Sequence, residues 1–292
     1  MAVSARFALG AMLLSASLAS PGGALAQSFL DRLLDGAKRA TDQVQRLQQA
    51  AIEFSEEQER EIGRQWASVL LGAAPLLDNP ELQRYLNQLG RWIALHSERP
   101  GLPWTFGVLD TTAINAFATP GGYVFVTRGL LVRTRDEAEL AGVLAHEIVH
   151  VTRRHHLNAM KSSASMALGA DLLAQLTQRV ENRNAETTRR VVSGARELLA
   201  RGLDKDDEYE ADRLGAALAA RAGFDPWGLP AMLQTINALS PSDSDASLLF
   251  ATHPSASSRL DAIGHALGPD VDQRAPRIRG SESYRKLMER LR

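Results

Sequence analysis

Residues 146–150 read His146-Glu147-Ile148-Val149-His150, and no other feature narrows the possible folds as sharply. Two histidines at positions i and i+4 of an α-helix stand about 40° apart around the axis and about one turn apart along it, so a helix lets both rings reach one ion. Neutral imidazole suits Zn²⁺ at about 2 Å, and a catalytic zinc keeps one position for water. Glu147 beside the pair can take that water's proton, so the pattern points to a zinc peptidase site rather than to a solvated helix that happens to carry histidines. A third protein ligand must come from another element packed against this helix.

The chain has no cysteine among its 292 residues. That excludes disulfides, a lipid-modified cysteine and thiolate ligands, and leaves histidine or a carboxylate as the third ligand. A formal net charge of −1 gives no reason to expect a nucleic-acid partner. Residues 1–26 carry Arg6, an apolar stretch from Phe7 to Leu18 and the small-residue exit Ala24-Leu25-Ala26, the pattern of a secretory signal peptide cut near Ala26, before Gln27. No later segment offers about 18 uninterrupted apolar residues. An exported chain free of cysteine fits a periplasm.

The remaining 27–292 are expected to form a single zinc metallopeptidase domain: an N-terminal amphipathic helix within 27–54, a catalytic core over 55–268 and a tail over 269–292. In the first, Phe29, Leu33, Ala37, Ala40, Val44, Leu47 and Ala51 recur every three or four residues. Such a face suits the core or a partner. Mixed charges on its polar side weaken attraction to anionic lipid, which leaves peripheral association with a membrane or envelope complex as a secondary use. Ser55 and Gln58 form a capping box opening a helix to about Leu71, and a further helix spans 78–97. Residues 104–109, 114–118 and 122–127 read as short strands around a Pro120-Gly121-Gly122 turn, giving a small antiparallel sheet just before the motif helix of 136–156. An exposed edge of that sheet could hold an extended peptide by its main chain. Helical stretches are expected over 162–180, 181–202, 214–222, 226–238 and 283–291.

The acidic run from Asp204 to Asp212 is where a third ligand is sought. Glu208 and Asp212 are spaced i, i+4, so one could bind metal while the other receives an N–H from a ligating imidazole. Asp204 with Glu208, and Asp206 with Glu210, share that spacing, so spacing alone does not choose. His155 and His156 follow Arg153-Arg154 at the helix end, where cations and water are favoured, and they, His96 and His265 are not assigned to metal.

Four motifs in order carry a family resemblance: Asn115-Ala116-Phe117-Ala118 with Pro120-Gly121-Gly122; His146-Glu147-Ile148-Val149-His150; Glu208-Tyr209-Glu210-Ala211-Asp212; and His253-Pro254 with Arg259. They resemble the HtpX-like and CAAX-prenyl-endopeptidase-related zinc metallopeptidases, especially exported bacterial members without membrane spans. The resemblance implies zinc held by His146, His150 and Glu208, one ion per chain, with Asp212 supporting a ligand histidine. It implies Glu147 and His253 as catalytic groups, His253 either stabilising an oxyanion or filling the open metal position at rest. Asn115, Ala116 and Phe117 become a substrate-facing edge, and Arg259 either contacts substrate or pairs with active-site acids.

The expected fold is therefore α+β and mainly helical, a zincin-type domain with a small sheet beside the motif helix. The expected activity is a zinc metalloendopeptidase cutting protein or peptide substrates in envelope protein quality control. The alternative is a periplasmic chaperone-like or binding protein whose zinc site is plugged or inactive.

Overall fold

The structure, a computed structural model, describes residues 54–168, 203–240, 243–253, 255–267 and 278–291. The expected signal peptide, the helix of 28–52, the segment 169–202, Pro254 and the stretch 268–277 lie outside those residues.

Helix α1 (Glu56–Ala73) begins at the capping box: Ser55 Oγ accepts from the Gln58 amide, and Gln58 Oε1 accepts from the Ser55 amide. It buries Ile62, Trp66, Ala67 and Leu70. Helix α2 (Pro80–Ala94) starts with proline in its first turn after Asn79, whose side chain accepts from the Leu82 amide. Leu82, Leu86, Leu89 and Ile93 follow at helical spacing and all are buried.

Strands β1 (Thr105–Leu109), β2 (Ala116–Thr119) and β3 (Tyr123–Thr127) form a sheet in the order β1-β3-β2. The expected antiparallel sheet is corrected here to a mixed one. β2 and β3 are an antiparallel hairpin with Phe117 opposite Phe125, whereas β1 runs parallel to β3 with Gly107 opposite Phe125. The physical reason is connectivity: the tight turn at Gly121-Gly122 joins β2 and β3 as antiparallel neighbours, and β1, one strand earlier, takes the other edge of β3 and runs parallel to it. Phe117 and Phe125 pack with Ala67 and Leu70 of α1 on one face. Val108, Val124, Val126 and Ala118 join the main core on the other.

After the short helix α3 (Arg128–Leu131), the motif helix α4 (Glu137–Thr152) starts at Asp136, whose carboxylate accepts from the Glu139 amide. In the fold every residue from Glu137 to Val151 is buried, because α4 is the central rod of the core. Leu140, Leu144 and Ile148 are fully covered, each contributing roughly 1.5–3 kcal/mol of apolar burial. Helix α5 (His155–Leu168) follows after two residues.

Helices α6 (Lys205–Arg221) and α7 (Gly228–Asn237) pack on α4. Gly215 permits the close approach of α6: a Cβ there would stand 3.0 Å from His146 Cα. Helices α8 (Ser247–Thr252) and α9 (Ala256–Leu267) follow, and α10 (Glu282–Leu291) closes the described chain by burying Tyr284, Leu287 and Met288. Among the described residues no helix is long and apolar enough to cross a membrane.

Candidate active site

His146 and His150 lie one turn apart on α4, both buried, with their Nε2 atoms 3.0 Å apart. Each ring is held from behind. His146 Nδ1 is 3.0 Å from Asp212 Oδ1, and His150 Nδ1 is 2.9 Å from His155 Nδ1. With Nδ1 donating to Asp212, His146 keeps an unshared pair on Nε2, aimed at the same space as the Nε2 of His150.

Glu208 reaches that space from α6. Its Oε2 lies 3.7 Å from His146 Nε2, and its Oε1 lies 3.5 Å from His150 Nε2. Glu208 is fully buried, and its Oε1 has no hydrogen-bond partner. A buried carboxylate with one oxygen orphaned, set against two imidazole nitrogens, is costly unless a cation completes it. Ligands about 2.0–2.1 Å from a tetrahedral zinc stand roughly 3.3–3.4 Å apart, close to the three separations here. The donor set, two nitrogens and one oxygen without sulfur, also suits a catalytic zinc. Among the described residues His146, His150, Glu208 and His253 form a group whose donor atoms all lie within 4.8 Å of one another.

Of the acids in the 204–212 run, Glu208 alone faces both histidines. Asp204 and Asp206 are exposed, and Glu210 turns to His155 at 3.1 Å. Burial pushes the Glu208 carboxyl up, but the His253 ring, the Arg259 guanidinium and His146 outweigh it and hold the group at about 2. Glu147 follows the first histidine and lines a cleft of about 340 Å³ with His150, Glu208, His253, Ala116, Phe117 and Ala118. Burial raises its carboxyl pKa, which makes it a better proton acceptor than a solvated glutamate.

The sequence profile of peptidase family M48 matches residues 78–267. The chain belongs to peptidase family M48. It is 34% identical over 210 residues to the beta-barrel assembly-enhancing protease of Escherichia coli K12, covering 70% of this chain and 42% of that protein. It is 28% identical over 186 residues to the mitochondrial metalloendopeptidase OMA1 of Schizosaccharomyces pombe, 61% of this chain and 51% of that one. Metalloprotease YcaL of Escherichia coli K12 is 28% identical over 170 residues, 58% of this chain and 65% of the relative. The chain thus spans less than half the length of the assembly-enhancing protease that it matches.

The remaining M48 residues singled out from the sequence are distributed unevenly. His253 sits at the cleft with Nδ1 2.8 Å from Glu208 Oε2. Arg259 is buried and does not face the cleft. Its Nε and Nη2 donate to Asp212 at 2.8 and 2.6 Å, and its Nη1 lies 3.4 Å from Glu208 Oε2. That inward fork serves the acids. Asn115 is also fully buried: its Nδ2 donates to Thr252 Oγ1 at 3.3 Å and its Oδ1 accepts from the Ala116 amide at 2.9 Å. It ties β2 to the end of α8, next to His253, while Ala116, Phe117 and Ala118 line the cleft.

His155 and His156 are not solvated as expected. Arg154 takes a left-handed backbone, φ 57, which turns the chain so that both rings fold back toward α4. His155 is 2% exposed, and the His156 ring lies 5.7 Å from the rings of His150 and Trp66. Burial, with the neighbouring His155, pushes the His156 pKa down to about 4. No periodic signal marks this contact, because i+5 falls off the face of a continuous helix. His96 and His265 are not part of that donor group; His96 Nδ1 rests on Trp92 O at 2.9 Å, and His265 is exposed.

Proposed function

We propose that this M48 chain is a zinc metalloendopeptidase that hydrolyses proteins in the bacterial envelope. The observation that carries the reading is the buried Glu208 carboxylate set against both histidines, its Oε2 3.7 Å from His146 Nε2 and its orphaned Oε1 3.5 Å from His150 Nε2. Those three side chains would hold the ion. When bound, zinc supplies Lewis-acid polarisation of the scissile carbonyl and acidifies water in the cleft. Glu147, buried and raised in pKa, accepts the proton of the attacking water and returns it to the leaving amine. Asp212, gripped by Arg259, fixes the His146 ring. β2 is an edge strand of the sheet, and Ala116, Phe117 and Ala118 border the cleft, which supports recognition of an extended substrate through its main chain.

Envelope quality control is proposed from the name of the Escherichia coli relative, a beta-barrel assembly-enhancing protease, and from the signal-like residues 1–26. On this reading the protein works in the periplasm on misassembled clients. The test is cleavage of an unfolded protein by the zinc-loaded chain beside Glu147→Gln. Cleavage by the wild type, lost in the variant while zinc is retained, supports the enzyme. Equal behaviour of the two, with no cleavage and no effect of chelation, overturns it.

One contact favours a second reading. His253 Nδ1 lies 2.8 Å from Glu208 Oε2, where it could fill the open metal position and make the protein a holder of clients. His253→Ala separates the two: increased cleavage means a resting plug on an enzyme, whereas client binding without cleavage in either form means a binding protein.

A further inference from the structure

We infer that His155 is a positioning residue for the metal, fixing the His150 ring through an imidazole pair that Glu210 completes. The inference rests on the metal reading of His146, His150 and Glu208 and deepens it. The two ligand histidines are supported differently. His146 is backed directly by a carboxylate, Asp212, whereas His150 Nδ1 meets His155 Nδ1 at 2.9 Å, and His155 Nε2 reaches Glu210 Oε2 at 3.1 Å.

The order of protons along this chain follows from the metal. If the Nε2 of His150 gives its unshared pair to the ion, its proton must sit on Nδ1, so His150 donates and His155 Nδ1 accepts. His155 then carries its own proton on Nε2 and donates it to Glu210. With His155 neutral, each contact in the line has one donor and one acceptor only when the far Nε2 of His150 is free for the ion. The reverse order would put a proton on that Nε2 and deny its unshared pair to the ion. A histidine present only to fill space would satisfy its nitrogens on nearby carbonyls; both nitrogens of His155 are spent on side chains of the site or its support.

The surroundings are built to hold this geometry. Asp207 Oδ1 lies 3.7 Å from His155 Nε2 on the same side as Glu210. Arg153 Nε lies 3.4 Å from the other oxygen of Glu210, and its Nη2 is 3.1 Å from Glu98. The left-handed Arg154 that aims His155 costs about 1 kcal/mol or more of backbone strain for a residue with a Cβ. Its Nε lies 3.2 Å from Glu59, a carboxylate only 1% exposed. Glu59 also takes Arg99 Nη1 at 2.7 Å and the Gly121 amide at 3.3 Å. One buried acid therefore ties α1, the β2–β3 turn and the bend before His155 together.

Zinc affinity measured by competition with a chromogenic chelator tests the assignment, alongside the melting temperature of the metal-free protein. His155→Phe keeps the packing and removes the acceptor, and is expected to weaken zinc by about 10–100-fold while the metal-free melting temperature changes little. Glu210→Ala, at a half-buried position, is expected to weaken zinc by about threefold or more, and reports independently should His155→Phe not fold. Leu157→Ala, a packing change in the same turn, should lower the melting temperature and leave zinc affinity within about threefold, since Leu157 packs in the apolar cluster of Phe54, Ile62 and Trp66. Zinc affinity unchanged in both His155→Phe and Glu210→Ala, or weakened no more than in Leu157→Ala, overturns the inference. Glu208→Ala in the same assay keeps the two levels apart. Loss of zinc there with none in His155→Phe sinks this inference alone, and retention in both sinks the metal reading beneath it.

Discussion

Arg259 grips Asp212 with two arms of its fork, Nε to Oδ2 at 2.8 Å and Nη2 to Oδ1 at 2.6 Å, where both side chains are shielded from water. Asp212 in turn meets His146 Nδ1, and Arg259 Nη1 stands beside Glu208. Burial alone would raise the Asp212 carboxyl; the guanidinium reverses it and holds the group far below the usual carboxylate range. The arginine from α9 thus neutralises two acids that α6 brings against the histidines of α4.

Removing that cation should leave Asp212 and Glu208 as uncompensated buried charges. Arg259→Gln is expected to cost about 3–5 kcal/mol of stability, read by denaturant unfolding of the metal-free protein. Arg259→Lys should recover only part, because a point charge cannot make the two-armed contact. A loss below about 1 kcal/mol in Arg259→Gln would contradict the clamp.

Gly63 lies where α1 crosses the β2–β3 turn, and a Cβ there would stand 1.6 Å from the carbonyl oxygen of Pro120. Thr119 Oγ1 donates to Gly63 O at 3.1 Å across the same crossing. Gly63→Ala must push helix and turn apart, and an expected loss of about 1–3 kcal/mol should appear as a lower melting temperature. A gain, as helix propensity alone would give, would count against this packing.

Tyr85 on α2 donates to Glu137 Oε1 at 2.5 Å, and Glu137 Oε2 accepts from the Ser281 amide, joining the start of the motif helix to the C-terminal segment. Burial first, and the Glu137 carboxylate second, raise the Tyr85 pKa well above its ordinary value. A raised folded-state pKa stabilises below the unfolded value of about 10 and is lost as pH climbs above it. Between pH 9 and 11 the wild type should lose up to about 1.4 kcal/mol more per pH unit than Tyr85→Phe, once pH passes 10. Parallel stability curves for the two proteins would exclude this coupling.

Much of this arrangement could be read from local pattern. Ser55 with Gln58 marked the start of α1, Asp136 preceded the motif helix, and His146 with His150 declared a shared face, because caps and i, i+4 contacts are settled within a few residues. The strand order was not legible, since β1 pairs with β3 across the intervening β2, a contact between segments about 18 residues apart that no local pattern marks. Nor was the service of His155: it depends on the left-handed Arg154, held by Glu59 from 95 positions earlier in the chain. The inward turn of Asn115 and Arg259 has the same origin, their partners Thr252 and Asp212 being distant in sequence.

The central claim is that His146, His150 and Glu208 together hold a catalytic zinc, and metal content decides it most directly. After dialysis against trace-metal-free buffer, the wild type is expected to retain about one zinc per chain, and Glu208→Ala, folded by circular dichroism, to retain almost none. Stoichiometric zinc in Glu208→Ala, or none in the wild type after reloading, would contradict the account.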